Sequence, residues 1–152
     1  AQALGIFEHN EGTLEDYLVK DGRTNTSRVC EENVPDAKYA RLHYKVIHTG
    51  TLPSGEPFSQ LEIHLDTGRH HQIRCQLSHR GMPIAGDVRY GGSRQLQPKN
   101  IALCAWRLTF AHPKTGKKMC FVQCPSQEAF SCFAQEIDGL CKTMLTDPIK
   151  GV

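Results

Sequence analysis

Leu61, Ile63 and Leu65 alternate with Glu62, His64 and Asp66, and the run stops at Thr67 and Gly68. A period of two with polar residues in between describes a strand with one buried face. Directly after the turn, Arg69, His70, His71, Gln72, Ile73 and Arg74 open a segment expected to be a helix over residues 71–80, stopped by Gly81. A strand that turns straight into a helix must fold the helix back over its own sheet, so a layered architecture follows. The same stretch is locally cationic. From Thr67 to Arg94 it holds five arginines and three histidines against one carboxylate, Asp87. The whole chain carries a formal charge of only +2, so the clustering, not the total, points to a polyanionic partner, and RNA is the leading candidate.

The rest of the chain supplies a sheet for that helix. Residues 37–48 alternate as a strand, although neither face is uniformly apolar, and residues 50–57 form a turn that pairs it with residues 58–66 as an antiparallel hairpin. Residues 3–8 are expected to be a short strand. Thr13 is placed to cap a helix that runs to Gly22, with Glu15 and Asp16 at its positive end and Leu14, Tyr17 and Leu18 on one face. Residues 21–36 and 89–100 read as polar loops. Residues 101–111 and 119–123 read as paired strands, and a C-terminal helix is expected from Pro125 and Ser126 with Phe130, Phe133, Ile137 and Leu140 facing the sheet. The expected fold is α+β, a mainly antiparallel mixed sheet with flanking helices, in a single domain over residues 1–152. With 39% hydrophobic residues it has the material for a core.

No apolar run is long enough to span a bilayer, and no signal peptide shows. The seven cysteines lack framework spacing and are read as reduced thiols of a cytoplasmic protein. A metal is not expected. His70 and His71 are adjacent and should point in different directions, and Cys120 and Cys124 are four apart on an expected strand.

The stretch LDTGR (65–69), HHQIR (70–74), GMPI (81–84), GD (86–87) and YG (90–91) resembles the signature of the RluA-type pseudouridine synthase family. The similarity continues on both sides, into residues 12–21, 40–47 and 101–113. Two positions depart from the family pattern: Cys104 stands where the family commonly has His, and His70 where it more often has Thr. The resemblance implies an enzyme without cofactor that isomerises uridine to pseudouridine in ribosomal or transfer RNA. It also implies a nucleophilic Asp in a His-Arg-Leu-Asp segment that this chain does not contain. The chain therefore reads as the C-terminal portion of a pseudouridine synthase-like catalytic domain, with little catalysis of its own.

Within that reading, Arg74 is the candidate catalytic residue, the charge partner of the absent Asp. Arg69, His71, Gln72, Arg89 and Tyr90 are candidate RNA contacts, the first two at a helix N-terminus where free amides favour phosphate. Leu103 is the candidate floor of the base pocket. Asp66 and Asp87 are not read as nucleophiles, Asp87 being expected to tie down its turn or pair with a nearby arginine. Two other readings remain: a non-catalytic RNA-binding module on the same scaffold, and a hydrolase built on His70, His71 and His79.

Overall fold

The computed structural model describes residues 1–92, 100–125 and 130. The chain divides into two compact units, Ala1–Leu103 and Cys104–Val152. In the first, strands β1 (Gln2–Leu4), β2 (Glu11–Asp21), β3 (Thr26–Cys30), β4 (Lys38–Thr51) and β5 (Pro57–Leu65) form one sheet in the order β1-β5-β4-β2-β3. Every pairing in it is antiparallel. Helix α1 (Gln72–His79) packs against β3 and β2. This is the α+β class expected. No helix among the described residues is long and apolar enough to cross a membrane.

The helix expected from Thr13 is instead strand β2. Leu14 and Leu18 are four apart, a spacing that satisfies a helical face and a strand face equally. Asp16 lies between them on the same buried face, opposite Ala40, and its polarity hides the alternation. Burial is tolerated there because Asp16 accepts hydrogen bonds from Arg80 Nη1 and Nη2 and from Gln76 Nε2, which also clamps the C-terminal half of α1 to β2. The expected loop at 21–36 contains β3. Asp21 Oδ1 accepts from the amides of Arg23 and Thr24, closing a short turn that returns the chain alongside β2.

Strand β4 explains its own mixed pattern. Ala40 and Leu42 face α1 and are fully buried, while Arg41 and His43 lie on the opposite face of the sheet, half exposed, and Tyr39 beside them is exposed. Leu18, Ala40 and Cys75 form a core cluster, with Val29 and Tyr90 packed on it. The hairpin between β4 and β5 forms as expected, with a register shift between Val46 and His48. The strand expected over residues 101–111 begins only at Arg107. Ahead of it, Ala102 exchanges its backbone bonds with Gln2 and Ala85 and so cannot continue a ladder.

In the second unit, β6 (Arg107–Ala111) and β7 (Lys118–Val122) form the expected two-stranded ribbon, with Phe110 and Phe121 stacked 5.9 Å apart. The expected C-terminal helix lies outside the described residues, Pro125 and Phe130 apart. Cys30, Cys75, Cys104 and Cys120 are free thiols, whereas Cys124 is disulfide-bonded, which corrects the fully reduced reading.

Leu42 sits in mid-sheet with no solvent exposure. Leu42→Ala is expected to lower the unfolding free energy by about 3 kcal/mol in chemical denaturation. A loss below about 1 kcal/mol would contradict its place in the core.

Candidate RNA-facing site at the start of the helix

The turn after β5 is held by one backbone carbonyl and one side chain. Arg41 O accepts from the amides of Asp66 and Thr67 and from Gln72 Nε2. Gln72 Oε1 in turn accepts from Thr67 Oγ1 at 2.8 Å and from the Arg69 amide at 2.9 Å. Gln72 is only 3% exposed. Its amide therefore joins strand, turn and helix, with both its oxygen and its nitrogen engaged inside the fold.

Arg74, one turn into α1, donates from Nε to Asp87 Oδ2 at 2.7 Å and from Nη2 to Oδ1 at 2.8 Å. Asp87 is almost fully buried and the Arg74 side chain is 14% exposed. The hydrogen bond that Arg74 donates to Asp87 is the chief cause that pushes the Arg74 pKa above its ordinary value. The guanidinium also lies 4.8 Å from the centre of the Tyr90 ring. Asp87 thus pairs with an arginine, as expected. Two of Arg74's five N–H donors are used by this carboxylate, so a second carboxylate would have to approach the other edge of the guanidinium.

Asp87 is placed by a tight turn. Its amide donates to Ile84 O, and its carbonyl accepts from the amides of Tyr90 and Gly92. A Cβ on Gly92 would stand 2.2 Å from Ile84 O and 2.6 Å from the Asp87 amide nitrogen, so only glycine fits.

Tyr90 is likewise committed. Its hydroxyl accepts from the Ser27 amide at 2.7 Å and meets His71 Nδ1 at 3.0 Å. It is a packing residue of β3 and α1 whose ring, not its hydroxyl, borders the site. Arg69 and Arg89 are exposed, each steadied by a backbone carbonyl: Arg69 Nε on Tyr39 O and Arg89 Nη1 on Asn25 O. Leu103 is half-buried in the irregular segment before β6, not on a strand.

The histidines depart from expectation. His71 has φ 52°, the left-handed region, at the cap of α1. That backbone turn lets two adjacent side chains stack, with ring centres 3.9 Å apart, where they were expected to diverge. His70 Nδ1 lies 3.0 Å from Ser27 Oγ, which donates to His70 O. Burial pushes both imidazole pKa values below their ordinary 6.5, with Arg74 and Arg89 adding to it and Lys20 also acting on His70. His79 lies at the exposed far end of α1, away from this pair, so the three-histidine hydrolase has no shared centre. Cys75 is buried and its thiol is pushed up to about 11 by desolvation, which makes it a packing group and not a nucleophile.

Sequence reasoning missed Ser27, which a polar loop reading concealed, and the network on the far face of the sheet. There Thr13 Oγ1 meets His43 Nδ1 at 2.8 Å, and His43 Nε2 meets Asp66 Oδ2 at 2.9 Å. Arg41 Nε lies 3.2 Å from the same Asp66 oxygen. These side chains are partly exposed and tie β2, β4 and the end of β5 together. Among the described residues, no group of three or more His, Cys, Asp or Glu is arranged to hold a metal ion.

The sequence model described as RNA pseudouridylate synthase matches residues 2–79. An uncharacterized RNA pseudouridine synthase of Bacillus subtilis is 34% identical over 113 residues, covering 74% of this chain and 35% of its own. One of Chloroflexus aurantiacus is 41% identical over 118 residues, covering 76% and 35%. The ribosomal large subunit pseudouridine synthase D of Haemophilus influenzae is 34% identical over 133 residues, covering 78% and 38%. The chain thus spans little more than a third of these relatives. The solved structure of human RNA pseudouridylate synthase domain containing 1 shares the fold, with a TM-score of 0.72 at 24% identity over 97% of this chain and 64% of its own.

Two outcomes are expected. Asp87→Asn removes the carboxylate under a largely buried guanidinium and is expected to cost about 3 kcal/mol of stability in urea unfolding. An unchanged midpoint would contradict the pairing. Because His70 and His71 hold protons less readily folded than unfolded, their contribution is complete above pH 6.5 and is lost as pH falls below it. Ring-resolved NMR titration is expected to place both below 6.5, and a midpoint at or above that value would contradict the burial.

Proposed function

The chain belongs to the RNA pseudouridylate synthase family, and from that premise we propose that the protein isomerises uridine to pseudouridine in structured RNA. This chain contributes the C-terminal part of the catalytic domain, both of its compact units included. In the reaction, the bond from the ribose to N1 of uracil breaks and a bond from the ribose to C5 forms. The proton leaves C5, and N1 gains one. The nucleophilic Asp that the family resemblance implies lies outside these residues, and no cofactor is required.

The observation that carries this reading is the Arg74–Asp87 pair, set in a stretch of chain that also presents exposed Arg69 and Arg89. Asp87 fixes the guanidinium in one rotamer. Its remaining edge then faces the approaching carboxylate already oriented, with little rearrangement on binding. Arg69 and Arg89 supply phosphate contacts at the rim, with His71 between them, and Leu103 supplies apolar contact to the base. A flipped uridine needs such a rim to hold its displaced backbone. A relative named ribosomal large subunit pseudouridine synthase D favours ribosomal RNA as the substrate.

The test uses the full protein and RNA tritiated at uracil C5. Release of tritium to water is the expected result. RNA binding without release would favour the non-catalytic module instead. Arg74→Lys keeps a charge for Asp87 and loses the fork. It is expected to slow release about 100-fold in protein that still folds, with the thermal midpoint lowered by less than in Asp87→Asn. Full activity in that variant would remove Arg74 from the catalytic role.

A further inference from the structure

His71 is a non-glycine residue held at φ 52° at the very start of α1. A left-handed backbone at such a position costs free energy, and the surrounding structure has to impose it. Its consequence is the stacking of His70 on His71 at 3.9 Å with 29° between the rings. The two rings are also anchored along the same side. His70 Nδ1 rests on Ser27 Oγ, His71 Nδ1 rests on Tyr90 Oη, and Tyr90 Oη accepts from the Ser27 amide. With both Nδ1 edges turned to the Ser27–Tyr90 side, both Nε2 edges turn away from it, with Arg74 and Arg89 near both rings and Lys20 near His70.

The anchors also set the protons. Ser27 Oγ has one hydrogen and gives it to His70 O, so it must accept from His70 Nδ1–H. His70 Nε2 is then a lone pair. Tyr90 Oη accepts from the Ser27 amide and lies 3.0 Å from His71 Nδ1, and in the arrangement inferred below its hydrogen goes to that nitrogen, leaving the His71 proton on Nε2. Two stacked neutral rings thus present one acceptor and one donor side by side. Burial, with Arg74 and Arg89 as neighbours, keeps both rings uncharged near neutral pH.

A phosphate wants donors and positive charge, and an outward lone pair on His70 repels it. We propose that the His70–His71 pair reads the lactam edge of an RNA base, an N–H next to a C=O, as found on uracil and guanine. His70 Nε2 accepts from the ring N–H, and His71 Nε2–H donates to the carbonyl oxygen. The inference rests on the RNA-modifying reading and adds to it a base contact made by a residue, His70, that stands where the resemblance has Thr.

The test measures binding of the full protein to a uridine- and guanosine-containing RNA. It compares that RNA with copies carrying N3-methyluridine or N1-methylguanosine, each of which removes the ring N–H. The expected result is at least a 10-fold loss with one of the two methylated copies, which also identifies the base. His70→Phe keeps the stack and Ser27→Ala frees the anchored nitrogen. Both are expected to erase that discrimination while the salt dependence of binding stays as in the parent. Equal affinity of the unmodified protein for all three RNAs overturns the proposal, whether or not the variants fold. So does a variant that weakens binding to every RNA alike and lowers the salt slope by about one, which marks a phosphate contact. A protein that binds none of the RNAs overturns the RNA-modifying reading along with this one.

Discussion

A guanidinium and a carboxylate removed from water are tolerated only if each satisfies the other completely, and the Arg74–Asp87 pair sets that demand on the structure around it. Arg74 must stand at one height above the sheet. Its helix is pinned at one end by Gln72, through Thr67, Arg69 and Arg41 O, and at the other by Asp16, through Arg80 and Gln76. Asp87 must meet it, and the turn from Ile84 to Gly92 closes tightly enough to exclude any side chain at Gly92. Tyr90 then covers the pair with its ring while its hydroxyl reaches β3. The signature residues are one mechanical unit, and most of them act on each other before they act on a substrate.

That division explains what could be read beforehand. The strand–turn–helix at 61–80 is legible from its alternation, its turn and its stop signal, although of the expected apolar face only Leu61 is buried, Ile63 being half-buried and Leu65 exposed. Strand β2 was not, because Leu14 and Leu18 fit both periods and Asp16, solvated by Arg80 and Gln76, looks like a surface residue. β3 was hidden for a related reason. Thr26, Ser27 and Arg28 have the composition of a loop, and only tertiary partners, Tyr90 and His70 on Ser27, reveal their place in the sheet. In the site, residue types announced the arginines but not their assignments. Gln72 and Tyr90 look equally suited to a ligand in sequence, and burial alone turns them inward.

The histidine pair shows how far a single backbone angle can move a functional reading. Neighbouring side chains on a regular element diverge, and from that rule His70 and His71 are unrelated. One left-handed residue places them on a common axis. Nothing in composition or spacing announces such an angle, since His is merely tolerated there, not required.

The far face of the sheet has a different kind of consequence. Thr13, His43 and Asp66 are hydrogen-bonded in a row on a half-exposed surface, with Arg41 paired to Asp66, and no described helix covers them as α1 covers Ala40. Each strand therefore lives under two regimes of selection one residue out of phase. On the side beneath α1, a substitution must answer to the buried ion pair and the core at once. On the other, residues need only remain hydrated and avoid like charges across strands. Sequence drift in such a sheet is expected to accumulate in stripes, every second residue, and a lineage can restyle that outer face without disturbing the chemistry held behind it.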